Sequence, residues 1–158
     1  MRLISLLFCI IFSFPAQANL GDMPVEQQLA MQYIKAYTEH DFKTLRQFYT
    51  RESLFFDKTA GVEYKGERHI IDFLTRAHEG VLEYRLNIEH MFNNGSVVVI
   101  IGSYRLRGPG DQYGKPDRII DIAVPGVTTL KFDMNTQRLI EHMDLMDYQT
   151  MADQLESQ

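Results

Sequence analysis

Two side chains that could carry acid–base chemistry, His142 and Asp144, lie two residues apart in the stretch LIEHMDLMDY, residues 139–148. Because side chains alternate between the faces of a β-strand, a strand here would place Ile140, His142 and Asp144 on one face and Leu139 on the other. A carboxylate can fix the tautomer of an imidazole and leave the second ring nitrogen available as acid or base. The spacing therefore predicts an orienting pair. The alternative is that His142 bonds a backbone group while Asp144 caps the next helix or pairs with a lysine.

Asp57 and Tyr33 are two further candidates for chemistry. Asp57 follows the apolar residues Leu54, Phe55 and Phe56, and a carboxylate at the mouth of an apolar pocket is suited to act as a general base. The alternative is that Asp57 closes the loop DKTAG by bonding its own backbone. Tyr33 lies on the apolar stripe of a predicted helix, where its hydroxyl either donates to a ligand or belongs to an ordinary core tyrosine.

A metal site built from His90, His142, Asp144 and Asp57 would suit zinc or iron chemically. However, the two-residue pair is the only close ligand spacing, so we expect no metal and no cofactor. The sequence also contains no serine nucleophile elbow, no phosphate-binding glycine loop and no dinucleotide fingerprint. The remaining histidines are predicted to lie in solvent at helix ends or on outer faces: His40, His69 and His78.

The first 18 residues, MRLISLLFCIIFSFPAQA, have the charge, the apolar run and the small-residue ending of a secretory signal. We expect residues 1–18 to be cleaved and the protein to be secreted, in a bacterial periplasm. The only cysteine, Cys9, lies in this segment. A mature chain without cysteine excludes a disulfide scaffold, a thiolate metal site and a cysteine enzyme.

The chain is acidic, with 16 Lys and Arg against 21 Asp and Glu and a formal net charge of −5. Loss of the signal removes only Arg2 and moves the charge to −6. No cluster of Lys and Arg offsets this balance, so we expect no nucleic-acid partner. No second apolar run approaches membrane-spanning length, so we expect no membrane association after signal removal. Residues 19–158 are long enough for one core and are predicted to form a single domain.

The predicted elements are helices first and a strand meander afterwards, which is typical of an α+β fold. Asp22 is predicted to cap a first helix, Asp41 a second, and Asp147 a short C-terminal helix. A third helix is predicted over residues 67–80, with long alternating strands after it. The inward stripe of the first helix is predicted to contain Val25, Leu29, Tyr33, Ala36 and Tyr37.

The segment MQYIKAYTEHDFKTLRQFYTRESLFFDKTAGVEYKGERHIIDFLTRA, followed by four long strands, resembles the NTF2-like superfamily. The similar branch contains the SnoaL-like polyketide cyclases and ketosteroid isomerase. The resemblance implies an NTF2-like cone: three N-terminal helices packed on a strongly curved, mostly antiparallel sheet, with a short C-terminal helix. It also implies a homodimer, because family members commonly pair through the open face of the sheet.

The resemblance places Tyr33 where the isomerase has its oxyanion-binding tyrosine and Asp57 where it has its general base. Thr128 stands where the isomerase has a second, neutral acid, which argues against ketosteroid isomerase activity itself. His142 and Asp144 match pocket-lining positions, which implies a more polar pocket. The remaining residues predicted to contact a ligand are Tyr37, Phe55, Tyr84, His90, Thr128 and Leu130.

Three functions follow as alternatives. The first is a secreted protein that binds a small, largely apolar organic molecule in the cone pocket. The second is a cofactor-independent isomerase, cyclase or dehydratase that moves a proton next to a carbonyl, with Asp57 or the His142–Asp144 pair as base. The third is a dimerising interaction module without catalysis.

Overall fold

A computed structural model of the protein describes residues 23–158, which form four helices and one six-stranded sheet. The predicted signal segment and the predicted cap Asp22 lie outside the described residues. The helices are α1 (Val25–Thr38), α2 (Phe42–Phe48), α3 (Glu67–Ala77) and α4 (Tyr148–Glu156). The strands are β1 (Leu54–Asp57), β2 (Val62–Lys65), β3 (Glu83–Asn94), β4 (Val97–Pro109), β5 (Ile119–Asp133) and β6 (Arg138–Met146).

The sheet has the strand order β2-β1-β6-β5-β4-β3. Only β1 and β6 run parallel, and every other neighbouring pair is antiparallel. Three helices precede the long strands and a short helix follows them, so the predicted α+β class and cone-type architecture are confirmed. Within residues 23–158, no helix is both long enough and apolar enough to cross a membrane.

Local capping sets two helix starts, as predicted. The Asp41 carboxylate accepts the backbone N–H of Thr44 at 3.0 Å at the start of α2. The Asp147 carboxylate accepts the backbone N–H of Thr150 at 2.9 Å at the start of α4. Each contact supplies an acceptor for an N–H group that lacks an intrahelical partner. In α1, the predicted inward position of Val25 is wrong, because this first helical residue is 53% exposed.

A β-bulge in β3 reverses which side chains face the core. Ile88 pairs with Gly102 but His90 pairs with Ile101, so Glu89 has no residue opposite it. Such an insertion moves the following side chains to the other face. Tyr84 therefore packs inward before the bulge and Met91 after it, whereas His90 is exposed. The prediction that His90 lines the pocket is wrong for this reason.

A second bulge lies in β6, where Lys131 pairs with Glu141 but Phe132 pairs with Leu139. Ile140 is left without a partner and is 41% exposed, while Leu139 is buried. The prediction that Ile140 shares a face with His142 and Asp144 is wrong, because the bulge interrupts the alternation between Ile140 and His142. His142 and Asp144 follow it, and both are buried on the inner face.

Two apolar clusters fill the fold. The larger one lies between α1–α3 and the sheet, and a smaller one around Ile120 and Ile122 lies under α4. The first half of β5 has no neighbouring β6 residue, because their pairing begins at Gly126. Side-chain amides of α4 cover this edge: Gln154 bonds both backbone groups of Ala123, at 2.7 and 2.8 Å. This pairing protects an otherwise open strand edge.

Candidate functional site

A cavity of about 160 Å³, here called the inner cavity, lies between α3, the inner face of the sheet and the start of α4. An outer cavity of about 370 Å³ adjoins it beside α4 and shares wall residues with it, among them Tyr84, Tyr104 and Tyr148. The polar side chains of the inner cavity are Asp57, His78 and Asp144 in addition to its tyrosines. Its aromatic wall consists of Tyr37, Phe55, Phe73, Tyr84, Tyr104, Tyr113 and Tyr148.

A larger hollow of about 550 Å³ lies on the outer surface between α1, α2 and the β5–β6 turn. Its lining includes Lys35, Glu39 and Arg138 and none of the predicted site residues. The inner cavity is smaller but holds buried titratable groups, so it is the better candidate for a functional site.

Asp144 on the cavity wall is contacted by two chains of polar side chains from the protein interior. Thr128 donates its hydroxyl to Asp144 Oδ1 at 2.5 Å. Because the Thr128 proton is used in this contact, the Tyr104 hydroxyl at 2.8 Å must donate to Thr128 Oγ1. Thr128 therefore supports a carboxylate in this fold instead of facing a ligand.

The second chain runs through His142, which is completely buried. Tyr33 Oη lies 2.6 Å from His142 Nδ1 and also contacts Tyr49 Oη. Burial raises the pKa of Tyr33 well above its ordinary value, so this hydroxyl keeps its proton. We assign Tyr33 as donor to Nδ1, which leaves the ring proton on Nε2, facing Asp144.

Nε2 of His142 lies 3.0 Å from Asp144 Oδ2. The N–H direction misses that oxygen, so Nε2 has no aligned hydrogen-bond partner among residues 23–158. The contact is therefore close and electrostatic.

Asp57 faces Asp144 across the parallel strands β1 and β6. One carboxylate oxygen accepts the backbone N–H of Ala60 at 2.9 Å, and the other accepts the hydroxyl of Tyr148. Asp57 thus closes the β1–β2 turn and ties α4 to it. The oxygens of both carboxylates are contacted, but Asp144 is the more deeply buried of the two on the cavity wall, which makes it the better candidate for acid–base chemistry.

The structure divides the other predicted site residues into two groups. Tyr37, Phe55 and Tyr84 line the inner cavity. Tyr33, His142, Thr128 and Leu130 are buried behind its wall and do not line it. The expectation that His142 and Tyr33 face a ligand directly is therefore wrong. Tyr33 contacts His142, and His142 contacts Asp144, which lies on the cavity wall.

His78 is a cavity residue that sequence reasoning missed, as it also missed Tyr104, Tyr113 and Tyr148. It is buried at the end of α3, and its Nδ1 has no hydrogen-bond partner among the described residues. Burial, with a smaller contribution from His40, lowers its pKa from 6.5 to about 4. Its ring lies 4.7 Å from both His40 and Tyr84, centroid to centroid. The prediction of a solvated His78 is wrong because Tyr84 of β3 and His40 pack against its ring, which no local pattern indicates.

His40 is also less exposed than predicted, because it is half-buried against His78. Burial lowers its pKa. His69, in contrast, is exposed as predicted. In residues 23–158, no three His, Cys, Asp or Glu side chains are grouped to hold a metal ion.

Comparisons with known proteins identify the fold and the family. The SnoaL-like domain model matches residues 30–142. The structure of a candidate SnoaL-like polyketide cyclase from Shewanella denitrificans has 68% sequence identity and a TM-score of 0.85, covering 86% of this chain and 100% of that one. One from Shewanella putrefaciens has 64% identity and the same TM-score, covering 86% and 99%.

A more distant protein from Catenulispora acidiphila, with a ketosteroid isomerase-like fold and in complex with trimethylamine, has 16% identity and a TM-score of 0.67, covering 80% of this chain and 91% of that one. At that identity it shows the fold alone. The comparison with curated proteins found no similar sequence. The match over residues 30–142 and the two close relatives show that the chain belongs to the SnoaL-like domain family, with the NTF2-like fold.

Proposed function

We propose that the protein binds a small organic molecule in the inner cavity and that Asp144 removes a proton from it, next to a carbonyl group. The observation that carries this proposal is Asp144 itself. It is a buried carboxylate on a cavity wall, Thr128 donates to one of its oxygens, and His142 Nε2 lies 3.0 Å from the other. Sites that combine a mostly apolar cavity with few, well-positioned polar groups are typical of ligand binding and acid–base catalysis.

The proposed reaction needs no cofactor. Asp144 takes the proton from carbon, and the electrons of the broken C–H bond move into the carbonyl to form an enolate. Tyr37 and Tyr84 on the wall can donate hydrogen bonds to the enolate oxygen, because burial raises their pKa and keeps them protonated. Return of the proton to another carbon would complete an isomerisation, and attack of the enolate carbon on a second carbonyl would complete a cyclisation.

His142 and Thr128 act through Asp144 in this scheme. Their contacts to its two oxygens fix the carboxylate at the wall and offset part of the cost of burying it. The family relationship supports a cyclase-type role, since both close relatives are described as candidate polyketide cyclases. The trimethylamine complex of the C. acidiphila protein supports the use of this fold for small molecules.

Hydrogen–deuterium exchange at carbon tests the proposal without knowledge of the natural substrate. The protein would be incubated in D₂O with a panel of cyclic ketones, β-diketones and polyketide-like diketides, and deuterium uptake would be measured by mass spectrometry. We expect enzyme-dependent uptake with at least one compound, reduced about a hundredfold or more in Asp144→Asn.

The matched control is Glu141→Gln, which removes a carboxylate from the outer face of the same strand. It should leave uptake unchanged. Equal uptake in the parent protein and Asp144→Asn would refute the assignment of the base, and binding without any uptake would support a purely ligand-binding role.

We also propose that the protein is secreted after cleavage behind Ala18. This rests on the sequence of residues 1–18. N-terminal sequencing of protein recovered from the periplasm of a bacterial host should begin at Asn19. An intact Met1 on that material would refute cleavage.

A homodimer through the outer face of the sheet is a further proposal. Phe92 and Leu145 are 51% and 48% exposed, and outward-facing apolar side chains favour a protein partner. Light scattering should give the mass of a dimer, and Leu145→Arg should shift it toward the monomer. A monomeric parent protein would refute this assembly.

A further inference from the structure

The charged groups of the inner cavity are of one sign. Asp57 and Asp144 are on its wall, and neither Lys nor Arg from the described residues lines it. The Asp57 oxygens accept from a backbone N–H and a tyrosine hydroxyl, both of which are neutral donors. At Asp144 the partners are a threonine hydroxyl and the His142 ring. No lysine or arginine within residues 23–158 forms an ion pair with either carboxylate.

Aromatic rings enclose the same space from different directions. Tyr84 and Tyr104 are stacked, with centroids 5.6 Å apart and planes 15° apart. Tyr37 stands steeply against both, at 65° to Tyr84 and 78° to Tyr104. The face of an aromatic ring carries partial negative charge and attracts cations, most strongly where water is excluded.

His78 adds an acceptor to this wall and no positive charge. With a pKa of about 4, it is neutral at physiological pH. A neutral imidazole has one nitrogen without a proton, which can accept a hydrogen bond from a ligand N–H or O–H. Its Nδ1 has no hydrogen-bond partner among residues 23–158, so it is available to bond a ligand.

The influence of Asp144 reaches across the cavity. Burial is the largest cause of the raised pKa of Tyr37, Tyr84, Tyr104 and Tyr148, and the negative charge of Asp144 contributes at each, after Tyr37 at Tyr84 and after Asp57 at Tyr148. Each of these groups would become negative on ionisation, so each reports negative potential at its position. An anionic ligand is therefore disfavoured and a cation favoured.

We propose that the inner cavity selects a substituted ammonium group, so that the ligand is a small organic cation whose uncharged remainder extends into the outer cavity. This inference rests on the proposed function, since it names the class of molecule that the same cavity takes. Aromatic rings would contact the alkyl groups on the nitrogen, while Asp144 and Asp57 supply the opposite charge.

Choline and its neutral carbon isostere, 3,3-dimethyl-1-butanol, test the inference because they differ in charge and hardly in shape. Titration calorimetry of the full chain at low ionic strength should show choline binding at least about tenfold more tightly than the alcohol. Tetramethylammonium should compete with choline. Equal or weaker binding of choline relative to the alcohol, or no binding of any cation, would overturn the inference.

Two variants locate the charge that is responsible. Asp144→Asn and Asp57→Asn should each reduce choline binding several-fold and leave binding of the alcohol unchanged, with Asp153→Asn on the surface of α4 as the control. Two substitutions are needed because either one alone could disturb folding, and circular dichroism would verify the fold of each. Retention of the full preference for choline in both folded variants would overturn the inference.

The deuterium-exchange assay separates this inference from the proposed function. Exchange into neutral ketones with no preference for choline would support Asp144 as the base and refute selection of a cation. A preference for choline without exchange in any carbonyl compound would support the cation and rule out Asp144 as the base.

Discussion

Replacement of His78 by phenylalanine should flatten the dependence of stability on pH between about pH 4 and 6.5. In the folded protein, burial and His40 hold the pKa of His78 at about 4, against an ordinary value of 6.5. Below pH 6.5, His78 therefore binds a proton in the unfolded chain but stays neutral in the folded chain. The free energy of unfolding consequently falls as the pH is lowered. Well above pH 6.5 both states are neutral and the effect vanishes.

The size of the effect follows from the two pKa values. At about 1.4 kcal/mol for each pKa unit, the gap between 6.5 and about 4 corresponds to about 3 kcal/mol. Most of this loss should occur between pH 6 and pH 4. Phenylalanine does not titrate and keeps an aromatic ring next to Tyr37 and Tyr84, so it removes the proton linkage with little change in ring contacts.

Urea unfolding followed by circular dichroism from pH 4 to pH 8 measures this difference. Other carboxylates titrate in the same range, so the quantity to compare is the difference between the two curves. The parent protein should lose about 3 kcal/mol more than His78→Phe between pH 7 and pH 4. His69→Asn, which removes an exposed imidazole, controls for the loss of any one histidine. Parallel curves for the parent and His78→Phe would refute the buried, neutral state of His78.

Three further substitutions test the packing around the site. Gly102→Ala should lower the free energy of unfolding by more than about 2 kcal/mol, because an added Cβ would lie 2.1 Å from the carbonyl oxygen of Asn87 beside the β3 bulge. Ser103→Ala is the control, and equal stability of the two variants would contradict the close approach. Tyr33→Phe should cost about 1–3 kcal/mol, because it removes the buried hydroxyl between Tyr49 and His142; an unchanged urea midpoint would argue against the donor chain. Gln154→Ala should lower the melting temperature and accelerate amide exchange at Ala123, because it uncovers the edge of β5. Gln149→Ala, on the exposed face of α4, should change neither.

The candidate site was predictable to the extent that it depends on alternation within one strand. His142 and Asp144 lie on the inner side of β6 because both follow the bulge and are two positions apart. The position of His142 behind the wall could not be predicted, since Phe55 on the neighbouring strand covers it at a centroid distance of 4.4 Å. The roles of Asp57 and Thr128 depended on the donors that the fold brings to them, Tyr148 and Tyr104 among others.

Local rules along the sequence determined the order of helices and strands, the caps at Asp41 and Asp147, and the inner face shared by His142 and Asp144. These features depend on residues within a few positions of one another, where hydrogen-bond reach and side-chain periodicity decide the outcome. Only the tertiary structure decided that His90 faces outward, that His78 is buried at a cavity, and that Thr128 and His142 contact the two oxygens of Asp144. Those features depend on strand register and on which distant side chains fill the space next to a group, and neither is encoded within a single element.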